Sequence, residues 1–67
     1  MAYSIGQRLM FTSPKGKKEE VIILKRKVDY EDGVIDEANY KGNFDYLAEV
    51  ERNGKSEYIF CRHNELS

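Results

Sequence analysis

A chain of 67 residues with a formal net charge of -1 makes one domain at most, and at this size it buries only about 60% of the surface its unfolded form exposes. Its one cysteine, Cys61, excludes an intrachain disulfide, and its longest aliphatic run, Val21 to Leu24, is far too short to span a bilayer. The near-neutral balance argues against strong nonspecific DNA binding, which calls for a clearly basic domain.

The opening Met1 to Ser4 lacks the basic stretch and apolar run of a signal peptide. Together with the lone cysteine, this sets the expectation of a cytoplasmic protein, neither secreted nor membrane-inserted. Gly6 introduces Arg8 to Thr12, a short apolar-rich first strand that ends at Ser13-Pro14-Lys15-Gly16, a turn whose Pro and Gly reverse the chain. Glu20 to Arg26 is rich in β-branched residues and too short for a helix, so it reads as a central strand with both faces covered. The cations Lys15, Lys17, Lys18, Lys25, Arg26 and Lys27 outnumber Glu19 and Glu20 across this region. Asp29, Glu31, Asp32, Asp36 and Glu37 then make the chain acidic. Residues 28–43 have no clean period: Val34-Ile35 suits a short extra strand, and 35–40 suits one helical turn equally well.

From Phe44 to Cys61 the sequence reads as two strands joined by Asn53-Gly54, the dipeptide that a type I′ turn requires because both central residues take positive φ. Phe44, Tyr46, Ala48 and Val50 share one face of the first strand, and Asp45, Leu47, Glu49 and Glu51 the other. Tyr58 and Phe60 oppose Glu57, Ile59 and Cys61 on the second. Arg62 to Leu66 reads as a tight turn that returns Leu66 to a core of Leu9, Phe11, Val21, Ile23, Phe44, Tyr46, Val50, Ile59 and Leu66.

This order of elements resembles the SH3-like barrels, a superfold that includes KOW and Tudor-like domains and several small phage and prophage proteins. The likeness is carried by Gly6 and Leu9 to Phe11, Gly16 in the first loop, Val21 to Leu24, the Phe44 to Cys61 hairpin, and Asn64-Glu65-Leu66 as the closing turn. It implies a mainly β fold, a single five-stranded SH3-like partial barrel over residues 1–67, with a ligand groove flanked by the long loop.

No catalytic signature emerges. Cys61 and His63 are the strongest metal ligands by type, but two ligands do not complete the tetrahedral site that structural zinc prefers. A nucleophilic Cys-His pair would need a lowered thiol pKa and an oxyanion hole. Cys61 therefore reads as a small buried hydrophobe and His63 as a solvent-facing turn residue, with no metal or cofactor expected.

The aromatic load is heavy, and Tyr30 and Tyr40 fall in the acidic loop where a core role is hardest to argue. Exposed tyrosines anchor protein interfaces, so Tyr30, Asp32, Tyr40 and Tyr46 form the candidate partner-binding set. By the Tudor-like resemblance, Tyr30, Asp32 and Tyr40 also supply parts of a cage for a methylated cation. The expected role is a noncatalytic protein-protein interaction module acting through loop 28–43, as a monomer or as a homodimer formed by sheet extension. Analogy with phage and mobile-element proteins suggests a regulatory setting. The alternative is a nucleic-acid-binding module in which Lys15, Lys17, Lys18, Lys25, Arg26 and Lys27 meet phosphates while Phe11 and Tyr46 stack on bases.

Overall fold

A computed structural model describes residues 2–29 and 44–67. Within them, strands β1 (Arg8–Thr12), β2 (Lys18–Arg26), β3 (Tyr46–Arg52) and β4 (Lys55–Cys61) pair antiparallel in one sheet of order β1-β2-β3-β4. Short 3-10 turns cover Lys27–Asp29 and His63–Glu65. The protein is thus mainly β.

Local chemistry accounts for the two reversals. Ser13 caps the first, accepting the Gly16 amide on its carbonyl at 2.8 Å and the Lys17 amide on its hydroxyl at 3.1 Å, while Gly16 takes a φ of 87°. In the second, Asn53 and Gly54 take φ of 53° and 75°. Both values are positive, as a two-residue type I′ hairpin demands, and the flanking Arg52 and Lys55 pair directly.

Side chains then sort by the two-residue period of the pleat. On the inner face, Val21, Ile23, Ala48, Val50, Tyr46 and Cys61 are buried, joined by Leu66 from the chain's end. Tyr3, Leu9, Phe11 and Ile59 pack against them. Fully burying a Val or Ile side chain stabilises by about 1.5–3 kcal/mol, so Val21 and Ile23, both without exposed surface, anchor β2 at the centre of the sheet.

Two core positions differ from the sequence expectation. Phe44 lies before β3 begins, outside the pleat, and stands 6.1 Å from the ring of Phe60 with the Arg62 guanidinium 5.5 Å above it. Leu47, on the face opposite Tyr46, is only 8% exposed. The outer face is therefore not a wet face throughout.

A bulge in β2 explains part of this. Ile23 pairs with Ala48, but Lys25 pairs with Leu47, so Leu24 is an extra residue in the ladder. Without that insertion Lys25 would follow Ile23 onto the inner face, where an unpaired ammonium is costly to desolvate. With it, Lys25 joins the outer face and Arg26 comes opposite Tyr46.

The five-stranded partial barrel is not what the described residues form: they give four strands in one open sheet. β1 and β4 do not pair within it, although Leu66 makes a single antiparallel bridge with Phe11. Met10 and Ser67 exchange backbone hydrogen bonds of 2.9 and 3.0 Å beside that bridge. The strand considered at Val34-Ile35 falls outside the described residues. Among those described, no helix is long and apolar enough to cross a membrane.

Candidate functional site

The end of the sheet where β2 leaves and β3 starts gathers three rings from distant parts of the chain. Tyr46, at the first position of β3, is 2% exposed. Its hydroxyl accepts the Tyr3 backbone amide at 3.0 Å and lies 2.8 Å from His63 Nδ1. The Tyr3 and His63 rings stack with centroids 4.6 Å apart and planes 17° from parallel. Tyr46 is tilted against both, at 5.8 Å from Tyr3 and 5.9 Å from His63.

Neighbouring polar groups hold this cluster. Asp45 Oδ2 accepts the His63 backbone amide at 2.8 Å, fixing the start of the 3-10 turn. The Tyr3 hydroxyl donates to the Leu66 carbonyl at 3.3 Å, and the Tyr3 carbonyl accepts from Arg26 at 3.2 Å. Arg26 also grips Asp29 with two hydrogen bonds of 2.8 and 2.7 Å. That hydrogen bonding holds the Asp29 carboxyl below its ordinary value. The contacts of Tyr3 tie the N-terminal arm to Arg26, Tyr46 and Leu66, all far along the chain.

Beside the cluster opens a depression of about 250 Å³ lined by Ala2, Lys27, Val28, Asp45, Tyr46 and His63. Val28, 69% exposed, provides apolar surface at its rim. Lys27 and Val28 lie where the chain departs into residues 30–43, and Asp45 where it has just returned. The hollow thus brings together a cation, a carboxylate, two aromatic rings and an exposed valine. Cys61 is buried nearby in the core, and burial, reinforced by Glu65 and Asp45, pushes its thiol up to about 12. A thiol so protonated is no nucleophile at neutral pH.

Of the partner-binding set, Tyr46 takes its place in this cluster, largely buried and with its hydroxyl engaged. Tyr30, Asp32 and Tyr40 lie outside the described residues. Sequence reasoning missed Tyr3, an isolated aromatic with no periodic neighbours, and treated His63 as a simple turn residue. His63 does sit in an exposed turn, yet one face of its ring is covered by Tyr3.

The basic set does not converge. Lys15, Lys17 and Lys18 are exposed around the β1–β2 turn, whereas Lys25, Arg26 and Lys27 occupy the other end of β2. Lys18 and Lys25 are seven residues apart along one strand, which is about 23 Å. Arg26 is held by Asp29 and the Tyr3 carbonyl. Phe11 packs against the core.

The outer face carries a second, apolar depression of about 350 Å³ lined by Leu24, Lys25, Leu47, Tyr58 and Phe60. Toward the other end of the same face, Arg8, Glu20, Ile22, Glu49, Glu51 and Ser56 surround a smaller polar hollow. Comparison of the chain with family models, with curated proteins and with solved structures found no match.

Proposed function

We propose that this protein is a noncatalytic interaction module that binds a protein partner through the depression beside Tyr46 and His63, together with the acidic, tyrosine-bearing segment 28–43. The observation that carries the reading is the position of that depression. It is lined by Lys27 and Val28, which precede residues 30–43 in the chain, and by Asp45, which follows them, so described residues on both sides of the tyrosine-bearing stretch share a mixed aromatic and charged hollow. The SH3-like resemblance supports the same location, since in such barrels the long loop flanks the ligand groove. A small regulatory protein of phage type is the setting that the resemblance suggests.

The test is affinity capture with the full chain against Val28→Asp and Tyr30→Ala/Tyr40→Ala variants, with folding checked by circular dichroism. The reading expects folded variants that no longer retain the partner held by the unaltered protein. Undiminished retention by both variants would remove it.

A nucleic-acid reading keeps one specific observation, the three exposed lysines 15, 17 and 18 around a single turn. It requires oligonucleotide binding at about 50 mM salt, where phosphate contacts are strongest, and its loss in Lys17→Glu/Lys18→Glu. No binding at that salt ends it.

A further inference from the structure

The Asn53-Gly54 turn closes on the Arg52–Lys55 pair, and this sets which backbone groups of β4 face β3. In a two-residue hairpin the closing pair is hydrogen-bonded, and the pattern alternates from there. Lys55, Glu57, Ile59 and Cys61 direct their amides and carbonyls toward β3, consistent with the 3.0 Å bond from the Asp45 amide to the Cys61 carbonyl. Ser56 and Tyr58 direct theirs away from the sheet. β4 is the last strand of the sheet among the described residues, so an extended chain has donors and acceptors to pair with at these two positions.

The side chains beside this edge are graded along it. Tyr58, 63% exposed, forms one wall of the apolar depression with Leu24, Leu47 and Phe60. Two residues back, Ser56 pairs with Glu51, and Tyr58 itself pairs with Glu49. Glu20, Glu49 and Glu51 line the polar hollow there against the single cation Arg8, which lies 3.8 Å from Glu20. The outer face thus runs from apolar beside Tyr58 to net negative beside Ser56.

We propose that the β4 edge is a second interaction surface, distinct from the depression at Tyr46, which takes an extended segment of a protein partner by antiparallel strand addition. Charge complementarity defines the segment. An apolar side chain sits opposite Tyr58 and turns into the depression, and a Lys or Arg two residues later sits opposite Ser56, within reach of Glu51 and Glu49. Main-chain bonds supply the attraction and the alternate side chains the selectivity, as in other edge-strand recognition.

The test uses the full chain and an end-capped peptide of about seven residues, alternating threonine and valine with a lysine two places after its central valine. Amide shifts and amide exchange are read residue by residue. Binding slows exchange at Ser56 and Tyr58 and weakens about tenfold when the lysine is replaced by glutamate, a charge preference that Glu51→Lys removes. Tyr58→Pro removes an amide that β3 does not use, so it leaves the sheet paired and abolishes peptide binding. No protection at Ser56 and Tyr58 up to the peptide's solubility limit overturns the proposal. So does protection that grows with protein concentration in the absence of peptide, which would give the edge to a second copy. Shifts confined to Val28, Asp45 and His63 would place the peptide in the other depression and equally refute it.

Discussion

Cys61 shows how strongly this small core imposes itself on a single side chain. Its thiol has no exposed surface, and burial raises its ionisation from an ordinary 9.0 to about 12. Iodoacetamide at pH 8 is therefore expected to leave the native protein unmodified and to label it fully once denaturant is added. As pH rises, the unfolded state loses this proton first, so the thiol's contribution to stability is full below about pH 9 and is lost as pH climbs toward 12. Urea midpoints measured across that window should fall for the unaltered chain and flatten in Cys61→Ala. Carboxylates work in the opposite direction. The hydrogen bonds from Arg52 to Glu19, at 2.8 and 2.7 Å, hold the Glu19 carboxyl below its ordinary 4.5, and Arg26 does the same to Asp29. On acidification the unfolded state binds those protons first, so the stabilisation present above about pH 4.5 is lost as pH falls through the lowered values. Glu19→Gln should shallow the acid limb of the stability curve while leaving the alkaline limb unchanged.

At the level of elements, the β3–β4 hairpin is where local chemistry and tertiary structure agree most fully. Gly54 sits at a φ of 75° with nothing within 4 Å of where a Cβ would stand, so Gly54→Ala meets no neighbour and its cost is that of left-handed backbone alone. That cost is about 1–2 kcal/mol, and chemical denaturation should show it as a lower midpoint with an unchanged slope. Gly54→Asn should lose less, because Asn tolerates the left-handed region. The hairpin was legible from sequence because its turn residues specify their own geometry. So was β1, bounded by Gly6 and Pro14, and so was the return of Leu66. Other features were not legible, for physical reasons that differ. The bulge at Leu24 is set by pairing with β3, a partner more than twenty residues away, and nothing in Val-Ile-Ile-Leu-Lys marks the extra residue. Leu47 shares its face with Asp45, Glu49 and Glu51, and alternation reports which side a residue points to, not whether that side is covered, so its burial left no mark. Tyr3 belongs to no periodic segment, so the ring that stacks on His63 and anchors the N-terminal arm left no pattern to read. The candidate site follows the same rule: Tyr46 was marked by its strand, but its convergence with Tyr3, Asp45 and His63 depends on contacts between ends of the chain.

Across the whole molecule, the chain's two ends are held against one another through Leu66. This residue is 6% exposed and bridges Phe11. Its carbonyl accepts the Tyr3 hydroxyl at 3.3 Å, so the residue that completes the core also supports the ring pair beside the candidate site. Replacing Leu66 by Ala keeps the backbone contacts and removes the buried side chain, which costs about 2–5 kcal/mol in well-packed cores. A domain this small has a net stability of roughly 3–5 kcal/mol, so Leu66→Ala should leave a measurable unfolded population at room temperature. Ile5→Ala, at a position 59% exposed, should stay within about 0.5 kcal/mol of the unaltered protein. Truncation after Glu65 removes more than the side chain: the bridge to Phe11, the Met10–Ser67 bonds and the acceptor for Tyr3 all go together. The truncated chain should accordingly lose the Tyr3–His63 stacking, read from the ring-current shifts of the His63 protons, even under conditions such as added osmolyte that restore strand content. Restored strands with unchanged His63 shifts would mean that the ring pair is positioned by Tyr46 and Asp45 alone. In that case the chain's end would serve the core without serving the site, and the two roles assigned here to Leu66 would separate.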